Sequence, residues 1–292
     1  MTSTATSSAM RASAQEIQSI LRSTGDLPPM PQVAAKVNQL ATDPNSSAGD
    51  FRRVLEADEA LTARVLRMAN SAFYGLNHRV TTLTHAVVVL GFKTLQSLVV
   101  ASASRSLYTG TQGGGGPVEN SLWEHSIGTA FACRLVATSV RYPGVEPAFV
   151  GGLLHDIGKA VLLLRLRKEY VPLVEKALQT GDPLHDLEQE KFGFTHAEVG
   201  ALLAQRWNLA PEHVEVIHDH HQGTNTSGSS YLVDIVRTSN GLCHRLGIGC
   251  RAEPGLDPLQ GSRAADLGLN EEKLVTLGET LTTTLASEKE IF

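Results

Sequence analysis

The stretch Gly151-Gly152-Leu153-Leu154-His155-Asp156-Ile157-Gly158-Lys159 places an imidazole directly beside a carboxylate. That is the donor pair that hard-to-borderline divalent metals favour. Phe149, Val150, Leu153, Leu154 and Ile157 surround it with apolar side chains. Such surroundings predict that the pair lies in the interior, where an unpaired carboxylate costs several kcal/mol or more. Asp156 therefore needs a partner, and a metal ion, an arginine or several backbone donors would each serve.

The remaining histidines are unevenly spread. His78 and His85 come early, whereas His125, His155, His185, His196, His213, His218, His220, His221 and His244 all follow the glycine run at 113–116. A lone histidine is ordinarily a surface or hydrogen-bonded core residue, so the paired patterns carry the weight. His155-Asp156 follows an apolar helical stretch, and His220-His221 sits at a helix terminus before a polar loop. His125 and His196 fall in, or at the start of, other helices. Helical bundles build metal sites this way, from side chains that project inward from several helices. His125, His155, Asp156, His196, His220 and His221 are the expected ligands.

The elements that must position them are helical throughout. Ala14 to Arg22 carries Ile17, Ile20 and Leu21 on one face, in the i, i+3, i+4 pattern. Leu27-Pro28-Pro29-Met30-Pro31 interrupts that helix, and Pro31 suits the first turn of the next. Helices are predicted through Val33 to Leu40, after the caps at 47–50, from Glu59 to Asn70, and from Thr84 to Ala103 with a break at Gly91. Asn70-Ser71 is expected to close its helix by serving orphan carbonyls. The glycine run reads as a flexible linker. Beyond it, helices are predicted over Leu122 to Val140, Pro147 to Asp156, Lys159 to Arg167, Val171 to Leu178, Leu184 to Lys191 and Thr195 to Trp207. Further helices follow from Pro211, over Tyr231 to Leu246, and after Asn270. Thr195 with Glu198 three residues on forms a capping box. No alternation of strand length is present. The fold class is all-α, an N-terminal bundle packed on a second helical domain. The boundaries are a tail at 1–13, an N-terminal subdomain at 14–108, a linker at 109–117, a second subdomain at 118–250 and an extension at 251–292.

Composition bounds the functional classes. The net charge of −5 argues against a general nucleic-acid surface, and Arg64 and Arg67 read as a solvated helix face. The 3 cysteines, Cys133, Cys243 and Cys250, show neither pairing nor CxxC spacing, which fits a reducing cytoplasm. The Ser/Thr/Ala-rich start lacks the apolar core of a signal peptide. No uninterrupted apolar run reaches the roughly 20 residues of a membrane span.

Leu154-His155-Asp156-Ile157-Gly158-Lys159 resembles the motif of the HD superfamily of metal-dependent phosphohydrolases. The order His125, His155-Asp156, His196, His220-His221 is similar to that of its cyclic-dinucleotide phosphodiesterases. The N-terminal stretches narrow the likeness. Leu27-Pro28-Pro29-Met30-Pro31, Asp58-Glu59-Ala60-Leu61-Thr62, Leu66 through Tyr74, and Ala86 with Leu90-Gly91 resemble the HDOD family, an HD subgroup found with bacterial signalling modules. The resemblance runs from about Ile17 to Gly249. It implies that His125, His155 and Asp156 hold a first ion, and that Asp156 bridges to a second held by His196, His220 and His221. Lys159 would then neutralise phosphate. Nitrogen-rich ligands of this kind suit iron, manganese, zinc or nickel.

Two departures set the functional expectation. Asn240 stands where the catalytic pattern requires aspartate, and a neutral amide is the poorer ligand. Gln222 and Gly223 follow His220-His221 where the phosphodiesterases have Glu and a Gly-Tyr-Pro segment. The expectation is a cytoplasmic regulatory module that binds a signalling protein or a small nucleotide-like ligand without efficient catalysis, and neither nucleic acid nor membrane. The alternative is a metal-dependent phosphohydrolase acting on a nucleotide.

Overall fold

A computed structural model describes residues 14–24, 26–43, 45–70, 74, 76, 78–109, 115–222, 230–252, 255–260, 263 and 265–287. The tail at 1–13, Ser71, Phe73, the start of the glycine run and most of the loop after Gln222 lie outside them. All the secondary structure among the described residues is helical. The N-terminal helices are α1 (Ala14–Thr24), α2 (Gln32–Thr42), α3 (Ala48–Leu55), α4 (Glu59–Ala69) and α5 (Leu83–Thr109). After the glycine run come α6 (Pro117–Ser139), α7 (Val145–Leu154), α8 (Ile157–Arg165), α9 (Arg167–Thr180) and α10 (Leu184–Phe192). The last are α11 (His196–Arg206), α12 (Pro211–Asp219), α13 (Tyr231–Leu246) and α14 (Glu271–Ser287).

Local chemistry sets many of these boundaries. Glu198 accepts from the Thr195 backbone N–H at 2.8 Å while the Thr195 hydroxyl accepts from Glu198 N at 3.4 Å, so the expected capping box opens α11. Asp50 does the same for the Ser47 backbone at 2.8 Å, and Asn270 accepts from Lys273 N at 3.0 Å. Gly91, with φ +79°, breaks α5 where the sequence predicts. Asn70 ends α4 with its amide nitrogen 2.7 Å from both Leu66 O and Val80 O, and its amide oxygen accepts from Val80 N at 2.7 Å. Its role is thus to tie the end of α4 to Val80.

The two halves share one continuous hydrophobic core. α2, α3 and α4 pack on α5, and α5 in turn packs on α6, α7 and α8. Polar ties cross the same boundary. The indole N–H of Trp207 donates to Pro28 O at 3.0 Å, and Arg206 reaches Asp26 at 2.8 Å. Tyr74 OH accepts from the buried Arg134, which also holds Glu146 at 2.5 Å. The proline segment therefore docks on the end of α11.

Averaged hydropathy corrects the reading that no stretch of membrane-span length exists. Leu83–Tyr108 and Val145–Arg165 are both long and apolar enough. The second is 83% buried inside the fold, where its apolar residues form the core around the His-Asp pair.

One helix crossing decides where the candidate ligands sit. α8 and α11 meet at Gly158 and Gly200, and a Cβ on Gly158 would lie 1.9 Å from His196 O. Only glycine lets α11 approach closely enough to bring His196 beside Asp156. Gly158→Ala is expected to destabilise the protein by about 3 kcal/mol, at the upper end of ordinary overpacking costs. Urea denaturation measures this, and a variant within about 0.5 kcal/mol of the parent would show that the crossing has slack.

Candidate metal centre

The His-Asp pair occupies a break between two helices. The sequence predicted one helix ending at Asp156 and the next starting at Lys159; α7 instead ends at Leu154, α8 starts at Ile157, and Asp156 between them has φ −100° and ψ 12°. The reason is geometric, because neighbouring residues on one helix diverge and cannot share a target. In the break both side chains face the same point. His155 Nε2 lies 3.2 Å from Asp156 Oδ2. His220 and His221 use the end of α12 in the same way, with ring centroids 4.1 Å apart.

The other predicted ligands converge there as well. His196 Nε2 is 3.1 Å and His220 Nε2 3.5 Å from Asp156 Oδ1, and His125 Nε2 is 3.8 Å from Oδ2. His221 Nε2 stands 3.0 Å from His196 Nε2. Lys159 is not poised in open space; its Nζ donates to Asp156 Oδ2 at 2.6 Å. The partner the fold supplies to the buried acid is thus a lysine three residues on. Asn240 Oδ1 lies 2.9 Å from His125 Nε2. Asp234, on the same helix, faces away and binds Arg263 at 2.7 Å.

Four of these histidines are oriented by their second nitrogen. Nδ1 of His125 faces Ile248 O at 3.0 Å, that of His155 faces Gly152 O at 2.6 Å, and that of His220 faces Ile217 O at 2.9 Å. Nδ1 of His196 meets Glu188 Oε2 at 2.6 Å. In His155, His196 and His220 Nδ1 makes the shorter contact to oxygen and carries the proton of the neutral ring, and the backbone carbonyl facing Nδ1 of His125 can only accept. In the neutral ring Nε2 of His155, His196 and His220 therefore presents a lone pair toward Asp156, the arrangement by which outer partners orient metal-binding histidines, while Nε2 of His125 faces Asn240. The His125 contact depends on a tight turn. Gly249 has φ +60°, and a Cβ there would lie 2.3 Å from His125 N. Ser121 fixes that turn by donating to Gly249 O at 2.7 Å.

Burial governs the electrostatics. It would raise the Asp156 carboxyl, but His155, Lys159 and the surrounding hydrogen bonds outweigh it and hold the group well below its usual range. Burial drives His220 down to about 3 and His244 to about 4, and pushes His125 and His221 well below 6.5. Burial also acts against His196, but Glu188 and Asp156 on either side prevail and raise it.

The geometry fits a divalent cation. His155 Nε2, His220 Nε2 and Asp156 Oδ1 are buried without hydrogen-bond partners, and all three lie around the same point. Donor atoms of Asp156, His196, His220 and His221 lie within 4.8 Å of one another, as do those of His125, His155 and Asp156. The centre forms the floor of a cleft of about 360 Å³, walled by Leu122, Val174, Leu184 and Pro258, with Arg237 and Arg251 also on its lining.

Sequence reasoning missed four residues. Glu188, fully buried, accepts from Tyr170 OH at 2.6 Å and orients His196, yet nothing in its helix pattern marks it. His185 stacks on His221 at 4.2 Å. His244 lies 4.9 Å from the His125 ring, and Cys250 joins the same pair as a further donor set. His244 was legible, because it follows Asn240 by four residues and so shares its helix face.

The HDOD domain family matches residues 27–223. An uncharacterised protein of Treponema pallidum is 28% identical over 197 residues, which is 67% of this chain and 38% of that protein. The chain thus spans about two fifths of the length of that curated relative. Among solved structures, an HDOD domain protein of unknown function from Geobacter sulfurreducens is 25% identical with a TM-score of 0.71, covering 94% of this chain and 95% of that one. A proposed phosphohydrolase from Shewanella amazonensis is also 25% identical, with a TM-score of 0.70 and coverage of 97% and 98%.

Two outcomes are expected. Glu188→Gln loosens His196 and lowers Zn²⁺ affinity about 10–100-fold by titration, the usual cost of losing an outer partner. In chelator-treated protein, His220 and His244 stay neutral in the fold down to about 3 and 4, while unfolded imidazoles protonate from 6.5 downward. The unfolded chain then binds more protons, so stability falls with pH below 6.5, by up to about 1.4 kcal/mol per pH unit per histidine. The raised His196 acts oppositely, its contribution being lost as pH rises above 6.5. Urea titrations at pH 7 and pH 5 measure the balance, and equal stability at the two would contradict it.

Proposed function

This chain belongs to the HDOD domain family, and from that membership we propose that it is a regulatory module. In this reading its histidine cleft binds a divalent metal and a small anionic, nucleotide-like ligand without efficient hydrolysis. The observation that carries the reading is the Asn240 amide set 2.9 Å from His125 Nε2, where a hydrolase of this superfamily would place a carboxylate. The centre then holds one acid among its ligands, and the deficit in anionic donors weakens its hold on divalent ions.

The chain's own residues suit binding. Lys159 holds the Asp156 carboxylate in place and faces the cleft. Glu188 keeps the His196 ring turned so that Nε2 faces inward. Tyr108 OH, 3.0 Å from Ser126 Oγ and 3.4 Å from Asp156 O, closes the floor behind the acid. The apolar wall at Leu122, Val174 and Leu184 suits the flat body of a ligand, and Arg237 and Arg251 suit its charge. A bound ion, zinc, manganese, iron or nickel, would supply Lewis acidity toward a phosphoryl oxygen. Docking of a signalling protein in the cytoplasm is the corresponding output.

A metal-dependent phosphohydrolase is the second reading, favoured by the inward-facing histidines and by the likeness to the Shewanella protein. Hydrolysis of bis(p-nitrophenyl) phosphate with Mn²⁺ separates the two. The regulatory reading expects no turnover above that of metal in buffer. Turnover in the parent that disappears in His155→Ala and Asp156→Ala would establish the hydrolase instead.

A further inference from the structure

The two oxygens of Asp156 face unlike surroundings. Oδ1 has no hydrogen-bond partner and looks toward His196 and His220. Oδ2 receives the Lys159 ammonium at 2.6 Å. We propose that the centre takes one divalent cation per chain, on Oδ1 with His196, His220 and His221, and that Lys159 and Asn240 close the Oδ2 side to a second. The inference deepens the functional reading above and rests on its premise that the cleft binds metal.

On the Oδ1 side no side chain has to be displaced. His196 and His220 each commit Nδ1–H elsewhere, to Glu188 and to Ile217 O. Their Nε2 lone pairs face the same carboxylate oxygen, and His221 Nε2 approaches His196 Nε2 to 3.0 Å. Electron pairs this close repel unless a proton or a metal lies between them. Three imidazoles and one carboxylate complete a four-coordinate zinc set, and they are acceptable to other borderline metals.

The Oδ2 side differs in every respect. A cation there must push aside a buried ammonium that shares the first turn of α8 with the acid it neutralises. It must also part His125 from Asn240. Nδ1 of His125 is held by Ile248 O, so only Nε2 can ligate. If the ring is neutral, that lone pair takes an N–H of the Asn240 amide turned toward it. If the ring is protonated, Nε2 donates to Oδ1 of Asn240. Either state commits Nε2. His155 Nε2 is then the donor left without a partner on that side among the described residues. With both its ring nitrogens engaged, His125 is also withdrawn from the set it forms with His244 and Cys250, and one imidazole with a share of one carboxylate, beside an ammonium, does not hold a second divalent ion.

The test uses the full chain stripped with chelator and dialysed against Zn²⁺ alone, with bound metal measured by elemental analysis. One ion per chain is expected. His221 is partly open at the cleft, so His221→Ala should keep the fold and weaken binding roughly tenfold or more. His125→Ala should keep the ion at near-parent affinity. Removing the closure in the double variant Lys159→Ala, Asn240→Asp should admit a second ion. Co²⁺ titration of the parent provides a check that needs no variant, and its visible absorption should saturate at one equivalent. Two ions in the parent, or an ion kept in His221→Ala but lost in His125→Ala, would overturn the proposal. A double variant still limited to one ion would overturn the closing role of Lys159 and Asn240. A parent that binds no Zn²⁺ would remove the metal centre altogether. Phosphodiester turnover bears only on the functional reading, so the two can fail separately.

Discussion

A single buried negative charge organises the second half of this protein. Asp156 is 2% exposed, and a carboxylate in such a place is tolerated only if its surroundings supply positive charge or protons. The fold answers with one lysine and a ring of imidazoles delivered by α6, α12, the α7–α8 break and the start of α11. Each imidazole is turned to face the acid by an acceptor behind it. Three of those acceptors are backbone carbonyls and therefore come with the fold itself. The fourth, Glu188, is a second buried carboxylate, so the arrangement needs α10 as well.

Close backbone approach makes this possible. The Gly158–Gly200 crossing lets two helices touch where side chains would hold them apart, and the Gly249 turn presses Ile248 O onto His125. These glycines contribute no chemistry, yet they set the distances at which the chemistry occurs. The same precision separates the two carboxylate oxygens, one engaged by an ammonium and the other left to the imidazoles.

Much of this was legible in the sequence. The all-α class followed from periodicity, the break at Gly91 from its glycine, and the start of α11 from Thr195 and Glu198. The gathering of His125, His155, Asp156, His196, His220 and His221 followed from their paired placement at helix ends and from the HD resemblance. What stayed hidden depended on contacts distant in sequence. Glu188 reads as one more charged residue on a short helix, because its burial is created by α9 and α11 closing over it. The Lys159–Asp156 pair was missed for a different reason. The family resemblance assigns the lysine to phosphate, although a spacing of three residues at a helix start favours just this contact. The break after the His-Asp pair was legible too, though the helix before it ends two residues earlier than expected, at Leu154.

The docking of the proline segment has a mechanical consequence. α11 is 11 residues long, a rigid rod of roughly 16 Å, with His196 at one end and Trp207 just past the other. Its first end is pinned by the acid and the glycine crossing, and its far end by the indole bonded to Pro28. The rod has no slack at either end. A shift of the imidazole at the first end is therefore also a shift of the seat on which Pro28 rests, and the two halves of the molecule share one lever.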